Sequence, residues 1–182
     1  MRTARLPARV IWLFLTAAAS LPPLSAQSAA DRAAVLAFSD TLARATRVEE
    51  IRVLEGAKPP GTIRLIRAAL AALRRGELGE DRAPYDQALQ LIERAIDAEK
   101  QWPLAWYGLG LVHIASYRRA YVAKPSNYTP AGVSYREAAM RSFIRATEQD
   151  STFLPPADAL AGIVLSLDCS VQPGHCPGCD LP

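Results

Sequence analysis

The stretch PLAWYGLGLVHIASYRRAY, residues 103–121, decides the fold. Trp106, Tyr107, Leu109, Leu111, Val112 and Ile114 leave a helix over these residues with almost no polar face. Such a helix must be central and covered on several sides. Pro103 suits its first turn, where the missing N–H has no helical partner to lose. Within the stretch, Trp106, Leu109, Gly110 and His113 spell W-x2-L-G-x2-H, and further on Ala139, Phe143 and Ala146 spell A-x3-F-x2-A. Small residues let a neighbouring helix approach closely, and large aromatic side chains fill the space left between successive helix pairs.

Working outward, apolar residues recur at steps of three and four, and no stretch alternates with period two. An all-α domain is expected. Ile63, Ile66, Leu70 and Leu73 form the stripe of a helix ended by Gly76, and Pro84 opens one on which Tyr85, Leu89, Ile92 and Ile96 share a face. Ser134 and Glu137 make a capping box for a helix through Gln149. Pro155-Pro156 introduces a last helix with Ala157, Leu160, Ala161 and Val164 on one side. Upstream, Ala33–Arg47 carries Val35, Leu36, Phe38 and Leu42, then frays into the charged segment Val48–Glu55 before Lys58-Pro59-Pro60-Gly61 breaks the chain.

These helices resemble tetratricopeptide repeats, whose 34-residue unit runs W-x2-L-G-x2-Y, then A-x3-F, then P. Ala88, Ile92 and Ala95 match the second helix of one unit; Trp106, Leu109 and Gly110 open the next, and Ala139, Phe143 and Ala146 close it. Leu65, Ala68, Ala69 and Ala72 fit the first helix of the earlier unit, while Ala157, Leu160 and Ala161 begin a third. Ala88 to Trp106 and Ala139 to Ala157 are both 18 residues, so the step between units keeps its length. The resemblance covers residues 62–167 and implies a short right-handed solenoid of antiparallel helix hairpins, with residues 27–61 an N-terminal capping helix and linker. The pattern also departs from the family. Ala88 to Ala139 is 51 residues, so the second hairpin carries an insertion holding Tyr117, Arg118, Arg119, Tyr121 and Tyr128. A smaller insertion lies at Glu77–Pro84, His113 replaces a tyrosine, and Lys100 and Ser151 replace the closing proline.

The resemblance implies a protein-interaction module. Its concave surface would present Ile63, Ile66, Leu70, Leu73 and Arg74 from one hairpin and Tyr107, Leu111 and Ile114 from the next, a groove for an amphipathic helix or an extended apolar peptide. The tyrosines and arginines of the insertion would continue that surface. The competing occupant of the groove is the chain's own segment 33–47. Trp106 is expected between hairpins, where truncation to alanine removes about 3 to 5 kcal/mol.

The first 26 residues combine Arg2, Arg5 and Arg9, an apolar run Val10–Leu21, Pro22-Pro23 and small residues ending at Ala26. That order is expected of a secretory leader, which places the mature chain in the periplasm or outside the cell. The twelve residues of this run fall short of the roughly 20 that a membrane-spanning helix needs, so no stable membrane insertion is expected after cleavage. The whole chain has 21 Lys+Arg and 18 Asp+Glu; without the leader's three arginines the balance is 18 to 18. A nucleic-acid surface, which needs clustered excess cation, is not expected.

Residues 168–182 form a tail rich in Cys, Pro and Gly, and Cys169, Cys176 and Cys179 are the only cysteines. With His175 they spell an incomplete Cys3His zinc set. Adjacent His175 and Cys176 point apart, so a local disulfide is favoured over metal. His113, on an apolar helix without a second ligand at helical spacing, is expected to be a core residue. No catalytic set and no cofactor are expected. Beside the scaffold or adaptor reading stand two alternatives, a structural envelope-assembly subunit and a small thiol- or metal-binding protein using the tail.

Overall fold

A computed structural model of the chain describes the backbone of residues 24–123 and 130–171 and the side chains of residues 29–120 and 134–164. The chain divides into two compact units, residues 1–34 and 35–182. Among the described residues all regular structure is helical: α1 (Leu24–Arg44), α2 (Val48–Gly56), α3 (Gly61–Leu78), α4 (Ala83–Ala98), α5 (Pro103–Ala123), α6 (Pro130–Gln149) and α7 (Pro155–Val171). None of these helices is long and apolar enough to cross a membrane. The expected leader lies outside the described residues except for Leu24–Ala26, which open α1.

The closest packing joins α5 to α6 and α3 to α4, with α5 also against α4 and α3, α6 against α7, and α2 against α3. α5 is therefore the covered helix that its all-round apolarity demands. Two glycines explain how it is covered from two sides. A Cβ on Gly110 would enter the Phe143 ring of α6, and one on Gly108 would stand 2.7 Å from Ile92 Cδ1 of α4. At about 100° per residue, positions two apart face nearly opposite ways, so each glycine admits a different neighbour. Gly76 does the same for α3 against α4, where its Cβ would lie 2.5 Å from the Tyr85 ring. On α4 and α6, Ala88, Ala95, Ala139 and Ala146 are fully buried.

The N-terminal part of this unit is more regular than its sequence suggests. Residues 48–56 form α2 rather than a frayed segment, because Ile51 is fully buried and Glu49 and Glu50 sit in the first turn, where negative charge complements the helix dipole. Glu50 Oε2 accepts the Thr46 N–H at 3.0 Å. Arg75 of α3 reaches both Glu55 at 3.0 Å and Gln87 of α4 at 3.1 Å, joining three helices. Gly61, at φ +53°, makes the turn that starts α3 after Pro60, a conformation an L side chain would strain.

The α6 boundary and the inner face of α7 differ from the sequence reading. α6 begins at Pro130, so Ser134 lies a turn inside it and its capping box does not sit at the helix start. As the sequence indicates, α5 runs on through the insertion residues Tyr117, Arg118, Arg119 and Tyr121. Among the described side chains of α7 Pro156 and Ile163 are buried, whereas Ala157, Ala161 and Val164 face solvent. Of the expected apolar face only Leu160 packs against the core, because Pro156 and Ile163 take the other inner positions.

Of the tryptophans among the described residues the buried one is Trp102, 7% exposed in the main core with Leu104, Ile92 and Phe153. Trp106 is half-buried, and its Nε1–H donates to the Lys100 carbonyl at 2.8 Å, fastening the α4–α5 turn. The expected large cost therefore moves to Trp102. Trp102→Ala should destabilise by about 3 to 5 kcal/mol and Trp106→Ala by about 1 to 2 kcal/mol, measured by denaturant melts. Equal losses would mean that the two indoles share the core.

Candidate functional site

Val35, Phe38 and Leu42 of α1 fall at helical spacing and bury against Ile66 and Leu70 of α3 in one core cluster, with Ala45 beyond the helix end. Arg67 of α3 lies over the Phe38 ring with its guanidinium carbon 4.1 Å from the centroid. The face of α3 expected to line a groove is thus covered by α1. Ile63, Ile66, Leu70 and Leu73 are core residues, each under a tenth exposed. Arg74 is committed as well. Its guanidinium donates to the Ala45 carbonyl at 3.0 Å and to Ala43 at 3.4 Å, and it pairs with Glu77 at 3.2 Å. A cation on the last carbonyls of a helix satisfies acceptors that have no partner within it. Arg74 holds α1 in place.

What stays open is a recess of about 190 Å³ where α1, α3 and α5 meet. Its floor is aliphatic, from Leu42, Leu70, Leu73, Leu111 and Ile114, and its mouth carries Ser39, Ala43, Arg74, Glu77 and Arg118. Leu111, Ile114 and Arg118 recur at steps of three and four, so one face of α5 supplies both floor and rim. Of the groove residues proposed from sequence, Leu70, Leu73, Arg74, Leu111 and Ile114 converge here. Ile66 is sealed beneath at 1% exposure. The α1 wall was legible only as the stripe Val35, Phe38, Leu42 in the segment weighed as the groove's own occupant. Glu77 carried no signal beyond its position after Gly76.

Tyr107, expected in the groove, turns instead to the α6–α7 corner. Its ring lies 5.8 Å from Phe143 and edge-on to Phe153 at 5.6 Å. Burial, then the carboxylates of Asp40 and Asp158, push its hydroxyl above the ordinary tyrosine value. Arg119 is a clasp rather than a surface contact: it donates to the carbonyls of Asp81, at 3.0 Å, and Glu80 in the α3–α4 turn, and covers the Tyr85 ring at 5.2 Å. Tyr117 is half-buried. The side chain of Tyr121 and all of Tyr128 lie outside the described residues, as do His175, Cys176 and Cys179; Cys169 falls within α7, its side chain outside them too.

His113 is half-buried on α5, its ring 6.4 Å from that of Tyr135. Burial, then the Arg141 charge, lower its pKa from 6.5. Both effects disfavour the imidazolium. No family model, curated protein or solved structure matches the chain.

Two outcomes follow from these contacts. Arg74→Met, which keeps the apolar stem and removes the donors, should destabilise by about 1 to 2 kcal/mol in a denaturant melt; no change would mean that α1 is held without it. For His113, the unfolded chain takes up a proton near 6.5 that the folded chain resists. Stability should decline as pH falls below 6.5 and level off once folded His113 also protonates. His113→Gln should flatten that decline, and an identical pH profile in the variant would rule the residue out as its source.

Proposed function

We propose that the chain is an exported, tetratricopeptide-like protein-interaction module, a scaffold or adaptor of a bacterial envelope. The helices would form a short right-handed solenoid of antiparallel hairpins, with α1 and α2 as its cap. Several features support the reading: the motif pairs Gly110 with Phe143 across α5 and α6, Ala88 and Ala139 occupy fully buried positions, and the 26-residue leader has a secretory order. One observation carries the functional part. Between three helices an aliphatic floor remains open to solvent under a charged rim, the arrangement of a binding surface that takes a side chain from a partner.

A second reading, an assembly subunit, is favoured by α7. Leu154 before it is 64% exposed and Val164 is 47% exposed, with Ala157 and Ala161 outward between them. Apolar side chains grouped on one helix face mark association surfaces.

The mature chain, tagged and used as bait in native envelope extract, is expected to retain a defined protein partner that captures this chain in the reciprocal experiment. Absence of any partner above an untagged control overturns the adaptor reading. Sedimentation separates the second reading, since an assembly subunit self-associates with no partner added.

A further inference from the structure

We propose that the recess between α1, α3 and α5 receives one aliphatic side chain of a partner peptide, and that Arg118 pairs with an acidic residue beside it. The inference rests on the protein-interaction reading and names the partner's chemistry. At about 190 Å³ the recess is smaller than the roughly 300–1,000 Å³ of small-molecule sites, so it suits a single protruding side chain of a larger ligand. Leucines and Ile114 make its floor, with no aromatic ring to stack on, so the matching group is aliphatic.

The rim supplies the charge. Arg74 is spent on the Ala45 carbonyl and Glu77. Arg118 is exposed, and among the described residues no hydrogen bond or ion pair engages it. It stands one turn beyond Ile114 on the same face of α5, which carries its guanidinium to the mouth. Two arginines against Glu77 leave the rim with one net positive charge, and the complementary partner group is a carboxylate.

A random-peptide display library selected on the full mature chain provides the test, with enriched peptides then measured by titration calorimetry. The expected consensus is a leucine, isoleucine or valine flanked by aspartate or glutamate. Ala43→Trp fills the recess from its exposed α1 wall and should abolish binding. Arg118→Glu should raise Kd about fivefold to tenfold at low salt, less at high salt, and a peptide with lysine in place of its acid should regain affinity for that variant. Thermal melts check that both variants fold; if Ala43→Trp does not, the charge exchange at Arg118 decides. A consensus without an acid, or binding indifferent to both variants, overturns the inference and leaves the adaptor reading standing. Sedimentation as a dimer that Ala43→Trp dissociates assigns the recess to a second copy and overturns it too. Failure to enrich any peptide, together with an empty envelope pull-down, removes both.

Discussion

Phe143 occupies the volume that a side chain at Gly110 would fill, and Ile92 presses on Gly108 from the opposite side of the same helix. These two close approaches set where α5 lies between α4 and α6, and from that placement the rest of the unit follows. Trp102 and Leu104 at the start of α5 enter the main core with Phe153, and Leu111 and Ile114 further along meet α3 and α6. A methyl group at either glycine would have to displace a ring or a branched side chain in an interior packed as densely as a crystal, where the neighbours have little room to yield.

Polar side chains then fasten the ends of helices whose middles are held by apolar contact. Arg74 binds the last carbonyls of α1, Arg119 those of the α3–α4 turn, and the Trp106 indole that of Lys100 in the turn before α5. Each acceptor lies at or beyond a helix end, where backbone carbonyls lack an internal partner. Long, delocalised guanidinium groups suit this work, since one side chain reaches two acceptors at once. The consequence for function is subtraction. Of the cations that sequence placed on a binding surface, Arg74 and Arg119 are structural, and Arg118 is the one left at the rim of an open recess.

The helical class and the internal packing partners were legible because they depend on local spacing. Pro103, Gly110, Ala139, Phe143 and Ala146 signal a helix and its close neighbour through their sizes and separations alone. The stripe Ile63, Ile66, Leu70, Leu73 was equally plain as an apolar face. Its burial was not, because a face that receives a partner and a face that receives the chain's own α1 have the same composition. α2 was obscured by charges that favour a short helix once Ile51 is anchored. The outward turn of Val164 and Ala161 was hidden for a related reason, since α7 is apolar enough to bury more than one face.

The sequence by itself determined that the described residues from 35 to 164 fold as packed helices, where they break at Pro and Gly, and which small residues face large ones, since periodicity and side-chain volume are properties of the chain. Tertiary structure alone decided whether Trp102 or Trp106 is core, that α1 covers the apolar face of α3 and leaves a recess beside it, and which arginines are already engaged. Those outcomes depend on which acceptors and apolar faces come together from segments about 30 to 40 residues apart, as with Arg74 and Ala45 or Arg119 and Asp81. Spacing within one helix carries no information about that meeting.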